Sequence, residues 1–177
     1  MIQLDTSWLQ HVQKPARYTG GEYNSIVKDH STVDVTMALG FPDVYEVAMS
    51  HLGIKILYGL VNRREDAVAE RVFAPWHDME EEMRKRNIPL FSLETRTPIK
   101  DFDVLAFTLQ YEMSFTNILN MLDLAGIPMY AKERDLDFPL LVCGGPCAYN
   151  VEPIADFFDI VSLGESEEIG RASCRER

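Results

Sequence analysis

Residues 103–109 read DVLAFTL, an apolar run with no polar residue on alternate positions after Asp103. A strand that shows one face to water alternates apolar and polar residues, whereas an unbroken run belongs to a sheet covered on both sides. The chain then changes period. Phe115, Ile118, Leu119 and Leu122 recur at helical spacing and stop at Gly126, with Pro128 just beyond. Both are ordinary helix stop signals.

The same alternation of strand and helix extends in both directions. Upstream, residues 33–39 (VDVTMAL) form a β-branched strand that ends at Gly40-Phe41-Pro42. A helix carrying Met49, Leu52, Gly53, Ile56, Leu57 and Leu60 follows and stops near Asn62-Arg63. Residues 71–74 (RVFA) predict a short strand before Pro75. In the next helix Trp76, Met79 and Met83 share one face, while Glu80, Glu81 and Glu82 stand four residues before Arg84, Lys85 and Arg86. That orientation favours helix ion pairs on a solvated face. Residues 90–93 (LFSL) predict a minor strand. Downstream, residues 139–143 (PLLVC) and 159–163 (DIVSL) are two more strands, closed by Gly144-Gly145-Pro146 and by Gly164. Five strands separated by helices predict right-handed crossovers, a mostly parallel sheet and helices on both of its faces. In such sheets a ligand sits beyond the carboxyl ends of the strands. The segments that reach that place are 40–45, 108–113, 144–150 and 164–167.

Composition narrows the classes of function. The 177 residues are 46% hydrophobic and 25% charged, which fits one globular domain. Twenty-eight acidic against 17 basic residues give a net charge of -11 and a pI near 4.8, so the surface field repels nucleic acid and anionic lipid. No apolar run is long enough to cross a bilayer, and the opening MIQLDTSWLQ lacks a signal pattern. Three cysteines, Cys143, Cys147 and Cys174, form no disulfide framework, and a reducing cytoplasmic location is expected. The last nine residues (IGRASCRER) differ in kind: they have no hydrophobic period and place three arginines in seven positions. They resemble one reading frame of a common sequencing adapter, so residues 169–177 are expected to be a non-native tail on a truncated chain. Taking three arginines and Glu176 from the totals of 17 and 28 leaves 14 basic and 27 acidic residues, and the acidic balance only deepens.

Several blocks together carry a family resemblance. They are Lys14-Pro15-Ala16-Arg17-Tyr18 with GGEYNS (20–25) and Lys28, ERVFAPWHDMEEEMR (70–84), PLFSLET (89–95), FTLQYEMSFTNILNMLDLAGIP (107–128) and CGGPCAYNVEPIADFFD (143–159). They resemble the opening of radical S-adenosylmethionine proteins that carry a cobalamin-binding-like domain in front. The resemblance implies a flavodoxin-like, cobalamin-binding-like α/β domain over residues 33–168, preceded by an arm (1–32) and followed in the intact protein by a catalytic partial barrel. That barrel would be the partner domain and would hold the [4Fe-4S] cluster and S-adenosylmethionine, leaving this fragment inactive alone. Cobalamin is the cofactor the resemblance suggests for this domain.

The resemblance places candidate cofactor-binding residues at Asp43, Tyr45, Thr108, Gln110, Gly144, Gly145, Gly164 and Glu165. Thr108 falls where the cobalamin fold has a hydroxyl, Gly144-Gly145 where it has a glycine pair, and Gly164-Glu165-Ser166-Glu167 resembles a Gly-Glu-Gly-Glu turn. Acidic residues also open helices for electrostatic reasons alone. Domains that ligate cobalt through histidine carry Asp-x-His-x-x-Gly, but here Asp43 is followed by Tyr45 and Ala48, and Met49 and Ile54 flank His51 at the wrong types. No histidine lower ligand is therefore expected. Cys143-Gly-Gly-Pro-Cys147 has the first spacing of a radical S-adenosylmethionine cluster motif, but Asn150 stands at the third ligand position, and two thiolates are too few. Two alternatives remain at this point: a binding or scaffold module without cofactor, and a small thiol redox protein using Cys143 and Cys147.

Overall fold

The computed structural model of the chain describes residues 6–164. Five strands form one parallel sheet: β1 (Val35–Phe41), β2 (Ala67–Phe73), β3 (Val104–Thr108), β4 (Leu140–Gly144) and β5 (Ile160–Val161), in the order β2-β1-β3-β4-β5. This is the flavodoxin-like order, with the chain reversing direction across the sheet between β1 and β3. Register is set by Val35 opposite Ala67, Met37 opposite Val104, Val104 opposite Leu140 and Val142 opposite Ile160.

Because successive residues of a strand point to opposite faces, each face collects its own core. One face holds Leu39, Phe41, Ala69 and Phe73 under two helices, α1 (Tyr45–Ser50) and α2 (Leu52–Asn62), which insert Ala48, Ile54 and Tyr58. The other holds Val72, Leu105, Phe107, Leu141 and Cys143 under α3 (His77–Arg86) and α4 (Phe115–Ala125), which insert Met79, Met83, Ile118, Met121 and Leu122. Right-handed crossovers produce this split, since the β1-to-β2 connection and the later ones run in opposite directions across the sheet. Helix α4 ends on Gly126 at φ 68, where Ile127 N–H reaches back to the Leu122 carbonyl at 3.0 Å. Its close is a Schellman-type turn, which requires the left-handed backbone that glycine adopts freely.

Several elements differ from the sequence reading. Strand β1 runs on through Gly40 and Phe41, the helix read through Met49 to Leu60 is broken at His51 into α1 and α2, and β5 is shorter than 159–163. Strand β2 begins at Ala67 rather than Arg71, since the charges of Glu70 and Arg71 interrupt an otherwise apolar stretch, AVAERVF, although both side chains are buried. Residues 90–93 are no strand of the sheet; apart from an isolated bridge between Phe91 and Pro98, the segment runs along the outer edge of β2, where Leu93 N–H donates to the Arg71 carbonyl at 2.7 Å. An edge strand is thereby covered without a sixth strand. Between β4 and β5 there are only two 3₁₀ segments, Pro146–Asn150 and Glu152–Phe157, each with a proline in its first turn.

The arm is stitched to the sheet by polar groups. Lys28 Nζ donates to the carbonyls of Asn62 (3.0 Å), Arg64 (2.5 Å) and Ala67 (2.7 Å), placing a cation at the C-terminal end of α2. Tyr58 Oη accepts from Ile26 N–H at 2.7 Å, and Tyr18 Oη accepts from Trp76 N–H at 3.1 Å.

Candidate functional site at the strand ends

The carboxyl ends of β1 and β3 meet where the strand order reverses. Asp43, just past the Phe41-Pro42 end of β1, accepts Val44 N–H through Oδ1 at 2.7 Å and the Tyr111 hydroxyl through Oδ2 at 2.6 Å. A single carboxylate thus ties the first loop to the loop after β3. Hydrogen bonding to Asp43, and after it burial, holds the Tyr111 phenol above its ordinary pKa. Asn117, near the start of α4, closes the same seam by donating to the Pro42 carbonyl at 2.9 Å.

Thr108 ends β3 directly opposite Gly144 of β4. Its Oγ1 accepts from the Gln110 amide, which leaves the threonine O–H free to turn toward another acceptor. Gly145 adopts φ 104 with ψ -176, a conformation essentially confined to glycine. A Cβ there would stand 2.9 Å from the Leu109 carbonyl oxygen and 3.2 Å from Thr108 Oγ1. The close approach that Gly145 permits is therefore to the neighbouring strand's own backbone, with Leu109 N–H bonded to the Gly144 carbonyl at 2.7 Å and Cys147 N–H to the Leu109 carbonyl at 3.0 Å. Around these polar groups stand exposed apolar side chains, chiefly Met113 (86% exposed) and Tyr149 (74%).

Of the other sequence candidates, Tyr45 turns away from this cluster: its hydroxyl donates to Glu22 of the arm at 3.2 Å and its ring packs edge-on to Phe73. Gly164 has φ 102 with open space around it. Glu165 lies outside the described residues, as do Ser166, Glu167 and the 169–177 tail.

The cysteines do not fit an iron-sulfur cluster. Cys143 points into the core between the sheet and α4, where burial pushes its thiol up to about 12. Cys147 lies beside Glu112, and burial followed by that carboxylate raises its pKa as well. Both shifts disfavour the thiolate, the form in which a cysteine attacks a disulfide. His51 is the N-cap of α2: its Nδ1 accepts Ile54 N–H at 3.4 Å and its ring lies on Phe41 with centroids 5.1 Å apart. Among the described residues no three His, Cys, Asp or Glu side chains converge as a metal site, and no helix is long and apolar enough to cross a membrane. The polar set at the strand ends, Asp43, Thr108, Gln110 and Tyr111, consists of hydrogen-bonding groups.

Sequence reasoning missed a second polar cluster, at the edge formed by β2. Glu70, fully buried, accepts from His30 Nε2 (2.7 Å), the hydroxyls of Ser92 (2.6 Å) and Thr95 (2.7 Å), and Thr95 N–H (3.2 Å). On the opposite face Arg71 is bonded to Glu94 at 2.6 Å and to Ser25, with its guanidinium 4.5 Å from the centre of the Tyr58 ring. Burial raises the Glu94 pKa despite Arg71. These residues hold the arm and the edge segment on β2, and adjacent charges in an apolar stretch were the signal that could have found them. Two cavities also lie away from the strand ends. One of about 30 Å³ lies between the arm, β2 and α3, and one of about 270 Å³ lies beside Tyr130, Lys132 and Asp156.

Together these features define an α/β domain of flavodoxin-like order with a set of hydrogen-bonded polar side chains at the ends of β1 and β3. The family described as radical SAM proteins, N-terminal, matches residues 53–176, and the chain belongs to that family. It is also similar to an uncharacterized protein of Methanocaldococcus jannaschii, 27% identical over 134 residues that make up 74% of this chain. The chain spans about a quarter of that relative's length, 24%.

Proposed function

We propose that this domain positions a cofactor or substrate at its strand ends, facing the downstream catalytic domain of a radical SAM protein. The observation that carries the reading is the pairing of Asp43 with Tyr111 and of Gln110 with Thr108 at the switch point, with Met113 and Tyr149 exposed on the 3₁₀ segments that follow β3 and β4. Polar groups with exposed apolar side chains on the adjoining segments suit a ligand that is covered by a second domain. The chemistry of cluster and S-adenosylmethionine belongs to that second domain, because the thiols here do not fit it. A corrin is the ligand class whose amides match the hydroxyl, amide, phenol and carboxylate present, and it would be bound without a protein nitrogen on cobalt.

The test is titration of the chain, and of the longer protein, with hydroxocobalamin, followed by electron paramagnetic resonance of the reduced cob(II)alamin. Weak binding by this chain is expected, at least about tenfold tighter binding by the longer protein, and no superhyperfine splitting from a protein nitrogen. Thr108→Val combined with Gln110→Ala should weaken binding about tenfold. Splitting that vanishes in His51→Ala would overturn the ligand assignment. Absence of binding in both proteins would favour the scaffold alternative, which the use of Gly145 for internal packing also supports.

A further inference from the structure

The cavity of about 270 Å³ opens near the amino ends of β4 and β5, with the length of β4, about 16 Å, between those ends and the polar groups beyond the carboxyl ends. Its walls are two connections. Residues 130–132 lead toward β4, and residues 155–158 lead into β5. One guanidinium clamps them together. Arg134, with only 3% of its side chain exposed, donates through Nη1 to the carbonyls of Pro128 and Met129, each at 2.9 Å, and through Nη2 to the Phe157 carbonyl at 3.0 Å and to Asp159 Oδ2 at 3.1 Å. Asp159 Oδ2 also accepts Leu141 N–H at 2.8 Å, which fixes the clamp to β4. Walls tied in this way hold a cavity open before any ligand arrives, so little ordering remains to be done on binding.

The lining combines rings with two opposite charges. Phe158 is buried and packs edge-on to Phe107 with centroids 6.2 Å apart, and the Tyr130 ring is braced by Phe157 at 5.1 Å. Lys132 comes from one wall and Asp156 from the other. The Lys132 ammonium lies 5.4 Å from the centre of the Tyr130 ring, and among the described residues neither it nor the Asp156 carboxylate has an ion-pair partner. By contrast, Arg17, Arg71, Arg84 and Arg134 are all paired with carboxylates.

We propose that this cavity is a binding site for a free α-amino acid with an apolar side chain. Such a zwitterion presents an ammonium to Asp156 and a carboxylate to Lys132, while its side chain lies against the rings. A simple carboxylic acid would leave Asp156 unmatched, and a simple amine would leave Lys132 unmatched. Size agrees with this class. At about 30 Å³ per water the volume is that of roughly nine waters, just below the range for drug-sized ligands, so a compound on the order of ten non-hydrogen atoms fills it. Both charged groups are exposed, so each should contribute only about three- to fivefold in affinity, and a ligand this small should bind with a Kd of about 1 mM. The site is separate from the strand-end cluster and does not depend on any cofactor there.

Nuclear magnetic resonance titration of the 177-residue chain with L-leucine tests it, with L-leucinamide and N-acetyl-L-leucine as controls that lack the carboxylate charge and the ammonium. Leucine should shift the amides of residues 130–132 and 155–158 with a Kd of about 1 mM, and each control should bind about three- to fivefold more weakly. Lys132→Gln should weaken leucine by that factor and leave leucinamide unchanged, whereas Asp156→Asn should weaken leucine and leave N-acetyl-leucine unchanged. A merely structural role would not separate the controls in this way. Both residues are exposed, so the variants should melt within a few degrees of the parent. No shift in either segment at about 20 mM leucine would overturn the proposal. Leucinamide bound as tightly as leucine would do the same, as would shifts confined to the neighbourhood of Thr108 and Gly144.

Discussion

Replacing Glu70 by alanine should be among the most damaging single changes in this domain. Its carboxylate lies fully buried in β2 and accepts four hydrogen bonds, from His30, Ser92, and both the hydroxyl and the amide of Thr95. Alanine takes the acceptor from Ser92 and Thr95, which are buried, and from His30, which keeps partial access to water, and leaves a void where the side chain stood. A buried donor without an acceptor costs about 1–3 kcal/mol, and breaking a buried ionic group from its partners about 3–5 kcal/mol. The donors are neighbours, so these costs overlap rather than add. The expected loss is about 3–5 kcal/mol, or a fall in Tm of roughly 10 °C for a domain of this size. Glu70→Gln keeps the volume and one acceptor and should lose about half as much. Urea unfolding followed by far-ultraviolet circular dichroism measures both, with the m-value checked for constancy. A loss below about 1 kcal/mol for Glu70→Ala would refute the view that this carboxylate holds the edge of the sheet, and a Gln variant weaker than the Ala variant would refute the accounting by donors.

The other predictions concern charge. Glu46 is held down to about 2 by hydrogen bonds from Lys14 and Arg17. A depressed carboxylate contributes stability above its unfolded pKa and loses it as pH falls toward the folded value, so the contribution fades between about 4.5 and about 2; it is small because the pair is exposed. Carbon-detected NMR titration should find that Lys14→Ala with Arg17→Ala returns Glu46 toward the ordinary carboxylate range, and an unchanged low value would exclude this cause. Asp43→Asn removes the carboxylate that keeps the Tyr111 proton in place, so the phenol should ionise at lower pH in an ultraviolet difference titration; an upward move would contradict the hydrogen bond. With both thiols raised by burial, the native chain should show at Cys143 and Cys147 slower alkylation at pH 7 than the urea-unfolded chain, and a native rate above the unfolded one at either residue would restore the redox alternative.

The sequence by itself determined the periodic part of this protein. DVLAFTL and PLLVC read as strands because their apolar residues run on without the polar alternation of a half-exposed strand, and α4 read as a helix because Phe115, Ile118 and Leu122 share a face and Gly126 stops it. The strand ends followed from the same boundaries, which put Thr108 near the end of one strand and Gly144-Gly145 after the next; that the two lie opposite each other is set by the register of β3 and β4. Tertiary structure alone decided what joins them. Asp43 and Tyr111 are 68 residues apart, and no local pattern says that one phenol will reach that carboxylate. Glu70 and Arg71 shortened β2 in the reading, because charge counts against a buried strand until its partners, His30 and Glu94, arrive from distant segments. Gly145 shows the same division: its position after a strand was legible, but whether its missing Cβ admits a ligand or the backbone of Leu109 depends on where the neighbouring strand ends. Periodicity is a property of one segment against a surface, whereas hydrogen-bond partners and close approaches are relations between segments, and only the folded chain brings those together.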